Sequence, residues 1–155
     1  MPDNNDDNKT ALDALINFFR TDFSSDLSLE GSEEIIKSVY TEAAAGAFGS
    51  QSSRLGKPWP PRKDTLPHPL LIKTGKMLNA ALNPQVTITD KNTAVIKYQG
   101  EHAGLIGIHN EGTKFIPPRP SAGVLNDKDT DLITENIFNR FTTGFANRLS
   151  KLKTK

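Results

Sequence analysis

Three side chains in one short stretch, His102, His109 and Glu111, are the only group in this 155-residue chain with the character of metal ligands. Zinc held on a single helix takes ligands at i and i+4, as in H-E-x-x-H, because that spacing brings both imidazoles to one face. Here the two histidines stand at i and i+7, with Gly104 and Gly107 between them, which points to structural roles. Asp127, Asp129 and Asp131 alternate like the opening of a calcium loop, but the glycine and closing glutamate of that loop are missing. An acid-rich helix N-terminus accounts for them more simply, since the helix dipole favours negative charge there. The chain has no nucleophile elbow, phosphate loop or dinucleotide fingerprint. With no cysteine, thiolate catalysis, disulfides and Cys-based zinc sites are excluded. The expectation is a non-enzyme without catalytic residues, metal or cofactor.

Charge carries more information than reactivity. Net charge is +1, so no global field attracts nucleic acid or anionic membrane. Residues 1–30 hold seven carboxylates against Lys9 and Arg20, 2 − 7 = −5, whereas residues 54–76 hold six cations against Asp64, 6 − 1 = +5. Solvated surface explains such segments; so do complementary faces that meet within one chain or between copies. The basic segment has one tryptophan and no series of aromatics to stack bases on, which disfavours a nucleic-acid groove. No apolar run approaches the roughly 18 residues that span a bilayer. The N-terminus, MPDNNDDNKT, is acidic, unlike a secretory leader, so synthesis in the cytosol is expected.

These residues need elements to position them. Residues 1–9 lack apolar periodicity and read as a loosely held acidic arm, with one α+β domain over 10–150 and a basic tail over 151–155. Thr10 and Asp13 look like a cap for a helix whose stripe is Leu12, Leu15, Ile16, Phe19 and Phe23. Ser32 is the expected N-cap of a second helix, with Glu33 and Glu34 in its first turn and Ile35, Ile36, Val39, Tyr40, Ala43 and Ala47 on its buried face. Gly49 to Pro69 breaks the pattern, because proline lacks an N–H and restricts its predecessor. A loop this long in a compact domain is usually functional or disordered, and Trp59 within it argues against disorder. Trp59 either pins the loop to its own domain or contacts a neighbouring subunit. Leu70–Leu82 reads as a short helix interrupted near Thr74-Gly75; Val86–Thr89 and Ala94–Tyr98 read as a hairpin turning at Asp90-Lys91-Asn92. Residues 101–112 suggest a short helix ending at Gly112, followed by a second proline-rich loop, KFIPPRPSAG. A last helix opening at Asp129 or Thr130 should bury Ile133, Ile137, Phe138, Phe141, Phe145 and Leu149.

The order of the unusual segments is also informative. Gly56-Lys57-Pro58-Trp59-Pro60-Pro61 and Lys63-Asp64-Thr65 precede Leu70–Met77, which contains Thr74-Gly75. A strand ending in Tyr98 follows, then His109-Asn110-Glu111-Gly112 and Ile116-Pro117-Pro118-Arg119-Pro120. Over roughly residues 33–149 the chain resembles the phage virion morphogenesis (tail completion) family. That family has G-x-x-W-P, L-x-x-T-G-x-L, tyrosine-ended strand, H-x-x-G and I-P-A-R-P-F-L-G elements in this order. Pro118 stands where Ala is usual, Ser121-Ala122 where Phe-Leu is usual, and Met77 where Leu is commoner.

The resemblance implies an α+β fold with helices on a small antiparallel sheet. It also implies a structural role in the virion, at the tail end or head–tail junction, as a terminator-like subunit forming a ring, often of six copies. The ring would cap the tail-tube protein and present a surface to the head connector; a head-completion or neck adaptor on the portal side is the alternative. Partners would be further copies of the chain, the tail-tube protein and the connector, with no membrane, and nucleic acid at most passing through the lumen. Expected contact residues are Trp59, Arg62, Lys63, Lys73, Lys76, Phe115 and Arg119. The motif residues expected to be structural are Trp59, Thr74, Gly75, Tyr98, His109, Gly112, Pro117, Arg119 and Pro120.

Overall fold

The computed structural model describes residues 28–61 and 69–152. Among them are four helices and one two-stranded antiparallel sheet, in the order α1 (Glu33–Ser50), α2 (Lys76–Leu82), β1 (Pro84–Asp90), β2 (Thr93–Tyr98), α3 (Ala103–Glu111) and α4 (Asp127–Leu152). The fold is α+β. The expected helix at residues 10–23 lies outside the described residues.

α1 forms from an acidic first turn followed by an Ala-rich apolar face. Ile36, Val39, Ala43, Ala44, Ala47 and Phe48 are buried, while Ile35 and Tyr40, expected in this face, are half-buried. Ser32 occupies the cap position, but its hydroxyl makes no capping bond and is buried without a partner. Its ψ of 6° lies outside the extended region that turns an N-cap oxygen toward the exposed amides. Small side chains at Ala44, Ala47, Ala80 and Ala81 let α1 and α2 approach closely, and Phe48, Trp59, Met77, Ile106 and Ala122 complete the core.

The expected Leu70–Leu82 helix is only its C-terminal half. Leu70–Gly75 is a turn, with Leu71 at φ 63° and Gly75 at φ 73°, and the helix begins at Lys76. The hairpin pairs Val86 with Ile96, Thr87 with Val95 and Ile88 with Ala94. Its turn is held by the Asn92 N–H donating to Asp90 Oδ1 at 2.9 Å, the local bond that makes Asp a turn residue.

α3 ends where the sequence places it, at Gly112, whose φ of 75° and ψ of 179° suit glycine alone. A Cβ there would sit 2.8 Å from Pro118 N and 2.9 Å from Ile116 O. α4 begins earlier than expected, because its cap is Asn126. Asn126 Oδ1 accepts the Asp129 N–H at 2.9 Å while Asp129 Oδ2 accepts the Asn126 N–H at 3.0 Å, a reciprocal capping box. The residues expected to be buried on α4 are so only in part: Phe138 is exposed, and Ile133, Ile137, Phe141, Phe145 and Leu149 are half-buried.

A clasp between two proline loops and the hollow beside it

The two proline-rich loops are joined by two of the residues expected at a subunit contact, Trp59 and Arg119. Trp59 is 5% exposed; its ring meets Phe48 edge-on at 5.6 Å and its Nε1–H donates to Pro120 O at 3.0 Å. Arg119 is 8% exposed, and its Nε and Nη2 donate to Pro60 O at 3.1 Å and Pro61 O at 3.2 Å. Each loop thus supplies a donor side chain to the other's carbonyls. The physical reason is general: proline-rich backbone has few N–H groups for its own carbonyls, so fixed donors must come from elsewhere. Trp59 therefore pins its loop to its own chain, and Arg119, favoured as a contact residue, turns inward as well.

Further long-range hydrogen bonds brace the clasp. Asn110 Nδ2 donates to Ala122 O at 2.6 Å and its Oδ1 accepts the Ser121 N–H at 2.8 Å, while Arg119 N–H donates to His109 O at 2.6 Å. Gln51, at φ 52°, donates to Phe48 O and accepts the Leu70 N–H at 2.7 Å, so it ties both ends of the 52–69 loop to α1. Arg54 grips Asp129 with Nε–Oδ2 at 2.8 Å and Nε–Oδ1 at 3.1 Å, with Nη2 also on Oδ1. The hydrogen bonds to Arg54 hold the Asp129 carboxyl below the usual carboxylate range. A capping Asn three residues before an Asp was the legible signal for α4's start; the long-range partner of that Asp had none.

Beside the clasp lies a hollow of about 260 Å³ between the turn before α2 and α3, lined by Leu71, Lys73, Thr74, Met77, His102, Leu105 and His109. Two of these residues, Leu71 and His102, hold left-handed backbone without being glycine, at φ 63° and 72°. Burial, reinforced by the nearby Arg119 charge, pushes the His109 imidazole down, so it is neutral at pH 7, and its Nδ1 is buried without a partner. His102 is exposed, 3.8 Å from a Glu101 carboxylate that also pairs with Lys76. Among the described residues no group of three or more His, Asp or Glu is arranged to hold a metal ion.

The remaining expected residues divide as follows. Lys73 and Lys76 are exposed, Lys73 on the hollow's rim and Lys76 at the first position of α2. Thr74 and Gly75 form the turn before α2, with Thr74 Oγ1 accepting the Lys76 N–H at 3.5 Å. Tyr98 ends β2 with its hydroxyl buried. Pro117 is half-buried, and Pro120 supplies the carbonyl that Trp59 uses. Arg62 and Lys63 lie outside the described residues. Phe115 is 82% exposed on a closed turn in which Thr113 N–H donates to Ile116 O at 2.7 Å and Thr113 Oγ1 accepts the amides of Phe115 and Ile116 at 3.2 and 3.0 Å. Leu105 and Ile108 on α3 are also exposed.

No helix among the described residues is long and apolar enough to cross a membrane. Comparison with protein-family models, curated proteins and solved structures finds no match.

Proposed function

We propose that the chain is a structural virion-assembly subunit of a tailed phage or prophage, a tail completion or terminator protein that works as a ring. The ring caps the tail-tube protein and offers a surface to the head connector. One observation carries this reading beyond the motif order itself. The Trp-Pro segment, the Asn110-bearing segment and the Arg-Pro loop, far apart in sequence, converge on one clasp. Three of the five motif segments thus form a single built feature, which supports reading them as parts of one signature.

The clasp also explains how such a subunit makes contacts. By fixing the second loop at Arg119 and Pro120, it holds Phe115 on a preformed turn outside the core. An exposed aromatic whose backbone is already ordered loses little entropy on docking, the property of an interface anchor. Leu105 and Ile108 are further exposed apolar groups on the adjoining helix. Closed rings need heterologous contacts, and rigid surface features such as this turn and the hollow suit them.

Particle mass in solution, alone and with the tail-tube protein, tests the proposal. Wild-type chain should reach the mass of a closed ring alone or on adding tube subunits, and Phe115→Ala should weaken that association at least tenfold. Its unfolding free energy should stay within about 0.5 kcal/mol of wild type, as for an exposed side chain. A chain that stays monomeric with every tail component removes the proposal.

A further inference from the structure

Phe115 is the most exposed large apolar side chain among the described residues. Its turn is closed by the Thr113 N–H on Ile116 O, and the Arg119 N–H on His109 O ties the segment behind it to α3. The ring is therefore a fixed knob, and it does not line the hollow of its own chain.

The hollow between the turn before α2 and α3 has the build of a receptor. Of the three non-glycine residues with positive φ among the described residues, two, Leu71 and His102, line it, while the third, Gln51, caps α1. Left-handed backbone without glycine is strained, and such strain concentrates where a ligand is clamped. The volume of about 260 Å³ is smaller than the roughly 300–1,000 Å³ of small-molecule pockets, yet larger than the about 150 Å³ that accepts a benzene ring. One large side chain is the occupant that size admits. Leu71, Met77 and Leu105 supply apolar lining, and no carboxylate is among the lining residues. The Met77 thioether and the Lys73 ammonium are both groups that favour an aromatic ring.

We propose that Phe115 of one copy seats in this hollow of the next, joining copies of the chain head to tail. The assignment rests on the ring reading above and names the contact that closes the ring. Charge supports a second copy as the occupant. Glu111, at the end of α3 just before the Phe115 turn, and Lys73 on the hollow's rim are both exposed, and neither has an ion pair among the described residues. Lys114 lies 5.8 Å from the Phe115 ring centroid, and Glu101 stands beside the hollow, 3.8 Å from His102. Each sign beside the knob thus has its opposite beside the hollow. Knob and hollow are different patches of one subunit, so the contact is heterologous, the kind that closes into a ring.

Photo-crosslinking in full-length protein tests the contact. Benzoylphenylalanine replaces Phe115 in both an unlabelled and an isotope-labelled preparation, which are mixed with the tail-tube protein and irradiated. Position 115 of one chain should link to a peptide from residues 70–77 or 102–109 of a chain of the other isotope, and the products should extend past two chains on a denaturing gel. Links within one chain, to other segments or to the tube protein overturn the proposal, as does a series that stops at two chains, the sign of a reciprocal pair. Thr74→Trp, which fills the hollow from an exposed position, should weaken association about tenfold or more, as Phe115→Ala does, without lowering the unfolding midpoint. Association at wild-type strength in that variant would also overturn it. Particles of ring mass whose links lie elsewhere sink this contact and leave the ring reading standing, whereas a chain that stays monomeric with every tail component removes both.

Discussion

Replacing Trp59 with Ala separates a core role from a contact role. The indole is 5% exposed, packs edge-on against Phe48 and donates to Pro120 O. Truncating a buried tryptophan costs about 3–5 kcal/mol in transfer and cavity terms, and the orphaned Pro120 carbonyl adds to it. A total near 4 kcal/mol is a large share of the 5–15 kcal/mol typical of a folded domain. At about 2–4 °C per kcal/mol for a chain of this size, the midpoint should fall by about 8–16 °C. Circular dichroism is the assay, because the variant lacks the sole tryptophan and its fluorescence. Trp59→Phe should lose about 1–2 kcal/mol, since the ring still meets Phe48 but Pro120 O loses its donor. A Trp59→Ala midpoint within about 2 °C of wild type, with loss of self-association, would refute the clasp and return Trp59 to a neighbour contact.

Three further outcomes follow from the geometry. Asp129→Asn should cost about 2 kcal/mol at pH 7, the value of a mostly buried Arg–carboxylate pair discounted for Arg54's partial exposure. Because the native Asp129 carboxyl lies below its unfolded value near 3.9, that stability is present above about pH 4 and lost as pH falls through the native value. The wild-type minus variant difference in denaturant midpoint should therefore shrink in acid, and a pH-independent difference would contradict the pairing. Gly112→Ala should destabilise by about 3 kcal/mol in chemical unfolding, since it places a Cβ against the Pro118 backbone at a φ of 75°. Tyr98→Phe should be neutral or slightly stabilising in the same assay, because the hydroxyl is buried with no hydrogen-bond partner. Burial, with Tyr40 nearby, pushes the Tyr98 phenol up to about 12. Because the unfolded phenol ionises near pH 10 and the native one only near 12, stability should fall between those values, a step that Tyr98→Phe should remove.

Local pattern was enough for much of the fold. The Ala-rich stripe of α1, the hairpin with its Asp90-Lys91-Asn92 turn and the stop at Gly112 follow from periodicity and from residues whose backbone preferences act over a few positions. So does the absence of thiol chemistry in a chain without cysteine. Where the signal is a competition, local reading failed. Ser32 has the chemistry of a cap but not the backbone angle, and α4 starts at Asn126's box because Asp129 serves as its third residue rather than its cap. What tertiary structure alone decided is the direction in which the distinctive side chains point. Trp59 and Arg119 have the chemistry of interface anchors, and nothing in their spacing says whether they face a neighbour or their own chain. Folding turns them inward because two proline loops 61 and 59 positions away present carbonyls that need donors. Sequence separation of that size carries no periodic signal, so the pairing exists only once the chain has closed on itself.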